Sequence, residues 1–231
     1  NRTGESRSLR TEYFGALEWE SRQEQLPLIN VIAVLPGTDP QLTHEAIVIG
    51  AHRDHFGRQA ELLFPGADDN ASGTAVMLEV ARALAKSGIR QKRSILFVSF
   101  SGEEQGLIGS RLYVERPVVP LTMTKTMINI DHAGVGNGRL TVGVTGLEKS
   151  GALEAGQTTE LTDKLDLFGF FPGGDHVPFK EAGVPTITVV SGGVHPHFHQ
   201  PTDTADTINP EILETVARYV LALAWQLTNA Q

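Results

Sequence analysis

Residues 94–100 read SILFVSF and residues 101–106 continue SGEEQG. A run this apolar has no polar face to offer water, so it is expected as a strand covered on both sides. EAIVIGA (45–51), KTMINID (125–131) and VPTITVV (184–190) repeat the pattern, joined by LINVIAVL (28–35) and RLTVGV (139–144). Helical periodicity lies between them. Strands alternating with helices predict an α/β fold, specifically a three-layer sandwich whose central, twisted, mixed but mostly parallel sheet carries helices on both faces.

One helix is expected over about 72–87, with Asn70 or Ser72 able to cap it, Val76, Val80, Ala83 and Leu84 on one face, and Gly88 as its stop. Another opens at Asn209-Pro210 and runs to about Leu227 with Ile212, Leu213, Val216, Val220 and Leu223 aligned. Shorter helices are expected over 107–115 and within 153–164, and an edge strand plus turn within 10–25. The glycine-rich stretches 134–138 and 169–174 read as loops. No repeat, low-complexity tract or linker divides the chain, so residues 1–231 are expected to form one catalytic domain.

Composition narrows the function. Asp and Glu outnumber Lys and Arg by 27 to 19, a net charge of −8, so there is no field to attract nucleic acid or anionic lipid. No apolar run is long enough to insert in a membrane. The absence of cysteine means that any metal must be held by histidine and carboxylate. The chain opens on Asn1 in a polar stretch without a signal-peptide core, and a start other than Met is expected of a processed or trimmed form.

Acidic and histidine clusters fall directly after the buried strands, at the carboxyl edge where open α/β sheets place their sites. His52, Asp54 and His55 follow the first; Glu103 and Glu104 follow SILFVSF; Asp131 and His132 end the third; His195, His197 and His199 follow the last. Asp68 and Asp69 precede the long helix. Capping is the ordinary reading of such an Asp pair taken alone, but it gives way beside four other clusters. Paired acids at the end of a buried strand are costly without a cation, and oxygen plus imidazole donors suit zinc, cobalt or manganese without choosing among them.

The ordered set AIVIGAHRDH, PGADDNASGTAVMLEVARAL, RSILFVSFSGEEQGLIGS, INID, GGDHVPF and HQPTDT, over roughly residues 28–228, resembles the co-catalytic zinc aminopeptidases of metallopeptidase family 28. The resemblance implies two zinc ions per chain, with cobalt or manganese as substitutes. His52 and Asp131 would hold one, Glu104 and His199 the other, and Asp69 would bridge them. It implies Glu103 as general base and Asp54 as the acid that orients His52. In the H-x-H-x-H segment spacing selects no ligand; the resemblance selects His199, leaving His195 and His197 as loop or rim residues. Arg53 and His55 are expected to be structural, and His132 has no assigned role. Asp175 and His176 match a substrate-pocket element in which Gly174 replaces the usual serine. Phe168, Phe170 and Phe171 are expected as core more than as an apolar pocket wall.

The expected function is therefore removal of N-terminal residues from peptides, by attack of a water shared between the metals. The rivals are a carboxypeptidase or dipeptidase on the same centre, a single-zinc glutaminyl cyclase-like acyltransferase, against which the pairing of His52 with Asp131 argues, and a receptor-like domain, against which the unbroken ligand set argues. Export to the periplasm or medium is the expected location. Nothing in the chain speaks to oligomeric state.

Overall fold

The computed structural model describes residues 28–230; the edge strand expected within 10–25 lies outside them. Seven strands form one sheet: β1 (Val31–Leu35), β2 (Ala46–His52), β5 (Ser94–Phe100), β6 (Thr124–Ile130), β7 (Leu140–Thr145), β8 (Leu165–Phe168) and β9 (Thr186–Ser191). A small hairpin, β3 (Gly57–Gln59) and β4 (Leu62–Phe64), stands apart. The spatial order is β1-β5-β2-β6-β9-β7-β8. The central run β5-β2-β6-β9 is parallel, while β1 on β5 and β7 on β9 are antiparallel, which makes the sheet mixed as expected.

Period-two alternation divides the core into two layers. From β2, Ile47, Ile49 and Ala51 pack with Val76 and Val80 of α1 (Gly73–Lys86) and with Val216, Val220 and Leu223 of α5 (Pro210–Asn229). The alternate residues Ala46 and Val48 join Leu96, Val98 and Phe100 of β5 on the other face, against Tyr113 of α2 (Ile108–Glu115) and Phe179 of α4 (His176–Glu181). There Tyr113 stacks on Phe179 at 5.3 Å and Phe100 meets both rings edge-on. Each fully buried side chain of this size contributes about 1.5–3 kcal/mol. α3 (Ser150–Thr158) lies on the α5 side, where the buried Tyr219 hydroxyl donates to the Ala152 carbonyl at 3.1 Å.

Two expectations are corrected, and an alternative at the start of α1 is resolved. β1 is not covered on both sides: it pairs with β5 alone and Val31 is 57% exposed, as the edge position dictates. The helix expected within 153–164 is α3, which begins at Ser150 and stops at Thr158, because Glu160 takes a left-handed backbone (φ 60°). Ser72 does not cap α1; Asn70 does, its Oδ1 accepting the Gly73 N–H at 2.9 Å. Ser72 Oγ instead donates to the Asp68 carbonyl and accepts the Ala133 N–H, joining the turn before α1 to the loop after β6. Gly73 is required at that junction, since a Cβ there would lie 2.3 Å from Asn70 Oδ1 and 2.6 Å from the Ile130 carbonyl. The loop reading of 169–174 stands, flanked by β8 and α4, neither of which was expected.

Candidate metal centre

The carboxyl ends of the four parallel strands deliver the acidic and histidine clusters to one edge. His52 is the last residue of β2, and Asp131 and His132 follow β6 directly. After β5 the chain turns through Gly102 (φ 76°) so that Glu103 and Glu104 fold back over the strand ends. Asp69 sits in the irregular turn Ala67–Ser72, and His199 in the loop after β9. His132 (φ 44°) and His199 (φ 55°) both hold left-handed backbone, which costs a non-glycine residue about 1–2 kcal/mol and is sustained only where the surroundings enforce it.

Asp69 lies at the centre. Its Oδ1 is 3.2 Å from His52 Nε2, which is itself 3.5 Å from Asp131 Oδ1. Its Oδ2 is 3.1 Å from His199 Nε2, which is 3.5 Å from Glu104 Oε2. The two oxygens of one buried carboxylate thus face two different donor groups. His52, Asp69 and Asp131 form one cluster with a geometry able to hold a cation, and His55, Asp69 and Glu104 form a second. Glu103 extends toward the first, with Oε2 3.9 Å from His52 Nε2.

Several donors are buried without a hydrogen-bonding partner: both nitrogens of His55, Glu104 Oε1 and His132 Nε2. Unsatisfied polar atoms are rare inside proteins, and a convergent set of them is what a ligand shell looks like when read from the protein side. The donors are oxygen and imidazole nitrogen throughout, which suits zinc and its divalent neighbours. The residues present therefore fit a divalent metal site.

Electrostatics agree with a site built for positive charge. Burial opposes ionisation of Asp69, but the closeness of His132 and His52 outweighs it and holds the carboxyl far below its ordinary range. Burial pushes Glu103 up to about 8; His52 opposes the rise, and the carboxylates of Asp131, Asp175 and Glu104 reinforce it. Burial disfavours the His52 and His132 cations, yet Asp131 and Asp69 raise His52 well above its usual value, and Asp69 carries His132 to about 9. In the absence of a cation, protons fill its electrostatic place.

Asp54 orients the site by a route other than the expected one. Its carboxylate is 3.9 Å from His52 Nδ1, beyond hydrogen-bonding range; the ring nitrogen donates instead to the Asp54 backbone carbonyl at 3.1 Å. That bond engages Nδ1 and leaves Nε2 as the nitrogen turned toward Asp69 and Asp131, free to take a metal held among them. The carboxylate accepts the backbone N–H groups of Glu103 (3.3 Å) and Glu104 (3.4 Å), orienting the acid pair.

Asp203 anchors Asp69. Fully buried in the HQPTDT segment, it accepts the Asp68 N–H at 2.8 Å and the Asp69 N–H at 3.1 Å. Asp68 in turn accepts the Gly134 N–H and pairs with His195 Nδ1 at 2.5 Å. His195 is thus a brace behind the site, whereas His197 bonds Thr202 at the surface, as a loop residue does.

Asp175 and His176 do not line a pocket. They are 0% and 1% exposed, enclosed where α4 starts beneath the Glu103 loop, and His176 Nε2 bonds the Phe171 carbonyl at 2.9 Å. The nearby phenylalanines are not core: Phe170 is 40% exposed beneath the Lys180 ammonium, and Phe168 and Phe171 are half-buried. Sequence reasoning missed His55, His132 and Asp203. The signal for Asp203 was present, four residues after His199 in a quoted motif; that for His55 and His132 was proximity to His52 and Asp131.

The model of peptidase family M28 matches residues 30–224. Aminopeptidase YwaD of Bacillus subtilis is 32% identical over 173 residues, covering 70% of this chain and 38% of that protein. A probable leucine aminopeptidase of Arthroderma otae is 29% identical over 218 residues, covering 87% and 58%. The solved structure of BSAP, a zinc aminopeptidase from Bacillus subtilis, superposes with a TM-score of 0.72 at 28% identity, covering 87% of this chain and 50% of that one. The chain spans from about two fifths to three fifths of the length of these relatives. With the family model reaching from β1 into α5, the chain belongs to peptidase family M28.

Proposed function

We propose that the chain is the catalytic unit of a two-metal aminopeptidase, acting on peptides with a free N-terminus. The observation that carries this reading is Asp69, whose two carboxylate oxygens face separate donor groups, His52 with Asp131 and His199 with Glu104. His52, Asp69 and Asp131 would hold one ion and Asp69, Glu104 and His199 the other. When bound, such a pair supplies Lewis acidity to the scissile carbonyl and lowers the pKa of a water between the metals.

The chain's own residues supply the rest. Glu103 Oε2, beside His52 and not among the donors facing Asp69, accepts the proton of the attacking water and delivers it to the leaving amine as the peptide C–N bond breaks. Asp54 holds the two neighbouring glutamates through their N–H groups, and Asp203 holds Asp69.

Hydrolysis of free and N-acetylated aminoacyl chromogenic substrates by zinc-loaded protein tests the proposal. Cleavage of the free-amine compounds alone, lost in Glu103→Gln with both metals retained, is expected. Cleavage of peptides blocked at the N-terminus but not of those blocked at the C-terminus would instead identify a carboxypeptidase. One zinc per chain at saturation would point to a cyclase-like centre.

A further inference from the structure

We propose that His55 is a direct protein ligand of the ion held by Asp69 and Glu104, so that this position has four protein donors rather than the three of Asp69, Glu104 and His199. The inference deepens the two-metal reading and rests on it. His55 Nδ1 is 2.6 Å from Glu104 Oε1 and 4.0 Å from Asp69 Oδ2. The side chain is 5% exposed, and neither ring nitrogen nor Glu104 Oε1 has a hydrogen-bonding partner. A buried imidazole with two unsatisfied nitrogens is costly; Nδ1 lies beside Glu104 Oε1 but out of line for a hydrogen bond, and a cation shared between the two relieves both.

The surroundings hold the ring in place. Phe56 packs on His55 at 4.6 Å and meets the His199 ring edge-on at 4.7 Å, so one aromatic side chain sets both imidazoles. On the opposite side His55 lies over Gly66, where a Cβ would come within 2.5 Å of the ring's Cγ. Gly66 also takes a left-handed backbone (φ 70°), so the site relies twice on its lacking a side chain. Steric support of this kind fixes ligand rotamers, as rigid metal positions need.

The consequence is unequal ions. A fourth protein donor would tie the ion at Glu104 more tightly to the protein than the ion at His52 and Asp131 is tied. The ion at Glu104 would then be the tighter and more structural of the two.

The test is metal binding by competition with a chelator, together with visible spectra of the cobalt-substituted protein, for wild type, His55→Gln and His55→Cys. The wild type should bind two ions. His55→Gln should bind one with unchanged affinity and the other at least 10-fold more weakly, with altered cobalt d–d bands. Because the natural chain contains no cysteine, a thiolate-to-cobalt charge-transfer band in His55→Cys would report ligation at this position alone. Metal-free unfolding curves establish that the variants fold. Two ions of wild-type affinity in His55→Gln, with no charge-transfer band in His55→Cys, would overturn the assignment and leave the two-metal reading standing. A wild type that binds fewer than two ions would overturn both.

Discussion

Replacing Asp203 by asparagine separates the support of the site from its chemistry. The side chain is fully buried, and its two oxygens accept the N–H groups of consecutive residues, Asp68 and Asp69. Asparagine keeps the shape but offers one oxygen; its amide nitrogen would face a peptide N–H, donor against donor. One hydrogen bond to a charged acceptor is lost, worth about 1.5–3 kcal/mol, and a buried N–H is left unsatisfied. A loss of about 2–4 kcal/mol in the metal-free protein follows, read as a shift in the urea midpoint at constant slope. Because both N–H groups belong to the turn that carries Asp69, the carboxylate between the two donor groups shifts whichever of them is released. Metal affinity and kcat should each fall roughly 10- to 100-fold, with KM changing less. Asp203→Asn with wild-type kcat and metal affinity would refute the reasoning, whatever its stability, since Asp69 would then be held without Asp203.

Glu103→Gln should lower kcat by about 10²–10⁴-fold while both metals remain bound, measured by steady-state kinetics alongside metal analysis. Metal-free protein should weaken as pH rises. Glu103 (to about 8 from 4.5) and His132 (to about 9 from 6.5) both hold protons more tightly when folded, so stability is lost from about pH 4.5 to 8 through the first and from 6.5 to 9 through the second. Each contributes a slope of about 1.4 kcal/mol per pH unit inside its window. The lowered pKa of Asp69 acts only below its ordinary value of 3.8, outside this range. Urea midpoints in chelator across that range should show the fall, and excess zinc should abolish it, because the bound cations' positive charge displaces protons from the groups beside them. Arg93→Met should cost about 1–3 kcal/mol with kcat/KM unchanged, because Glu45 keeps Lys125 at 3.3 Å. Arg93 pairs with Glu45 at 2.7 Å and donates to the Ala230 carbonyl at 2.6 Å, at the sheet edge opposite the site.

Residues placed by regular structure were readable. His52 and Asp131 directly end or follow strands whose apolar runs announce themselves, and Glu103-Glu104 follow a third, so the sheet rule alone brings them together. The loop after β9 was harder. H-x-H-x-H gives three equivalent choices by alternation, and only the left-handed turn at His199 and the bonds of His195 to Asp68 and of His197 to Thr202 separate them. His55, read as structural, carries no sequence signal because residues 53–56 form no strand; Phe56 and Gly66 direct its ring, and both act through tertiary contact. The short β8 and the six-residue α4, with Pro178 inside it, carry too little periodicity to register. Asp175 looked like a pocket residue because its motif did, but what encloses it is the packing of α4 against the core.

The donors come from the ends of β2, β5 and β6, from the turn before α1 and from the loop after β9, so between His52 and His199 almost the whole sheet intervenes. No fragment shorter than residues 52–199 contains the complete set of donors. Closing such distant segments is slow, and the donor geometry converges only after β6 has docked between β2 and β9. A cation therefore has little to grip in the transition state for folding. Its stabilisation, about 2.7 kcal/mol at a free concentration one hundred times Kd, falls mainly on the unfolding barrier. For this chain, metal occupancy sets how long the native state lasts far more than how quickly it is reached.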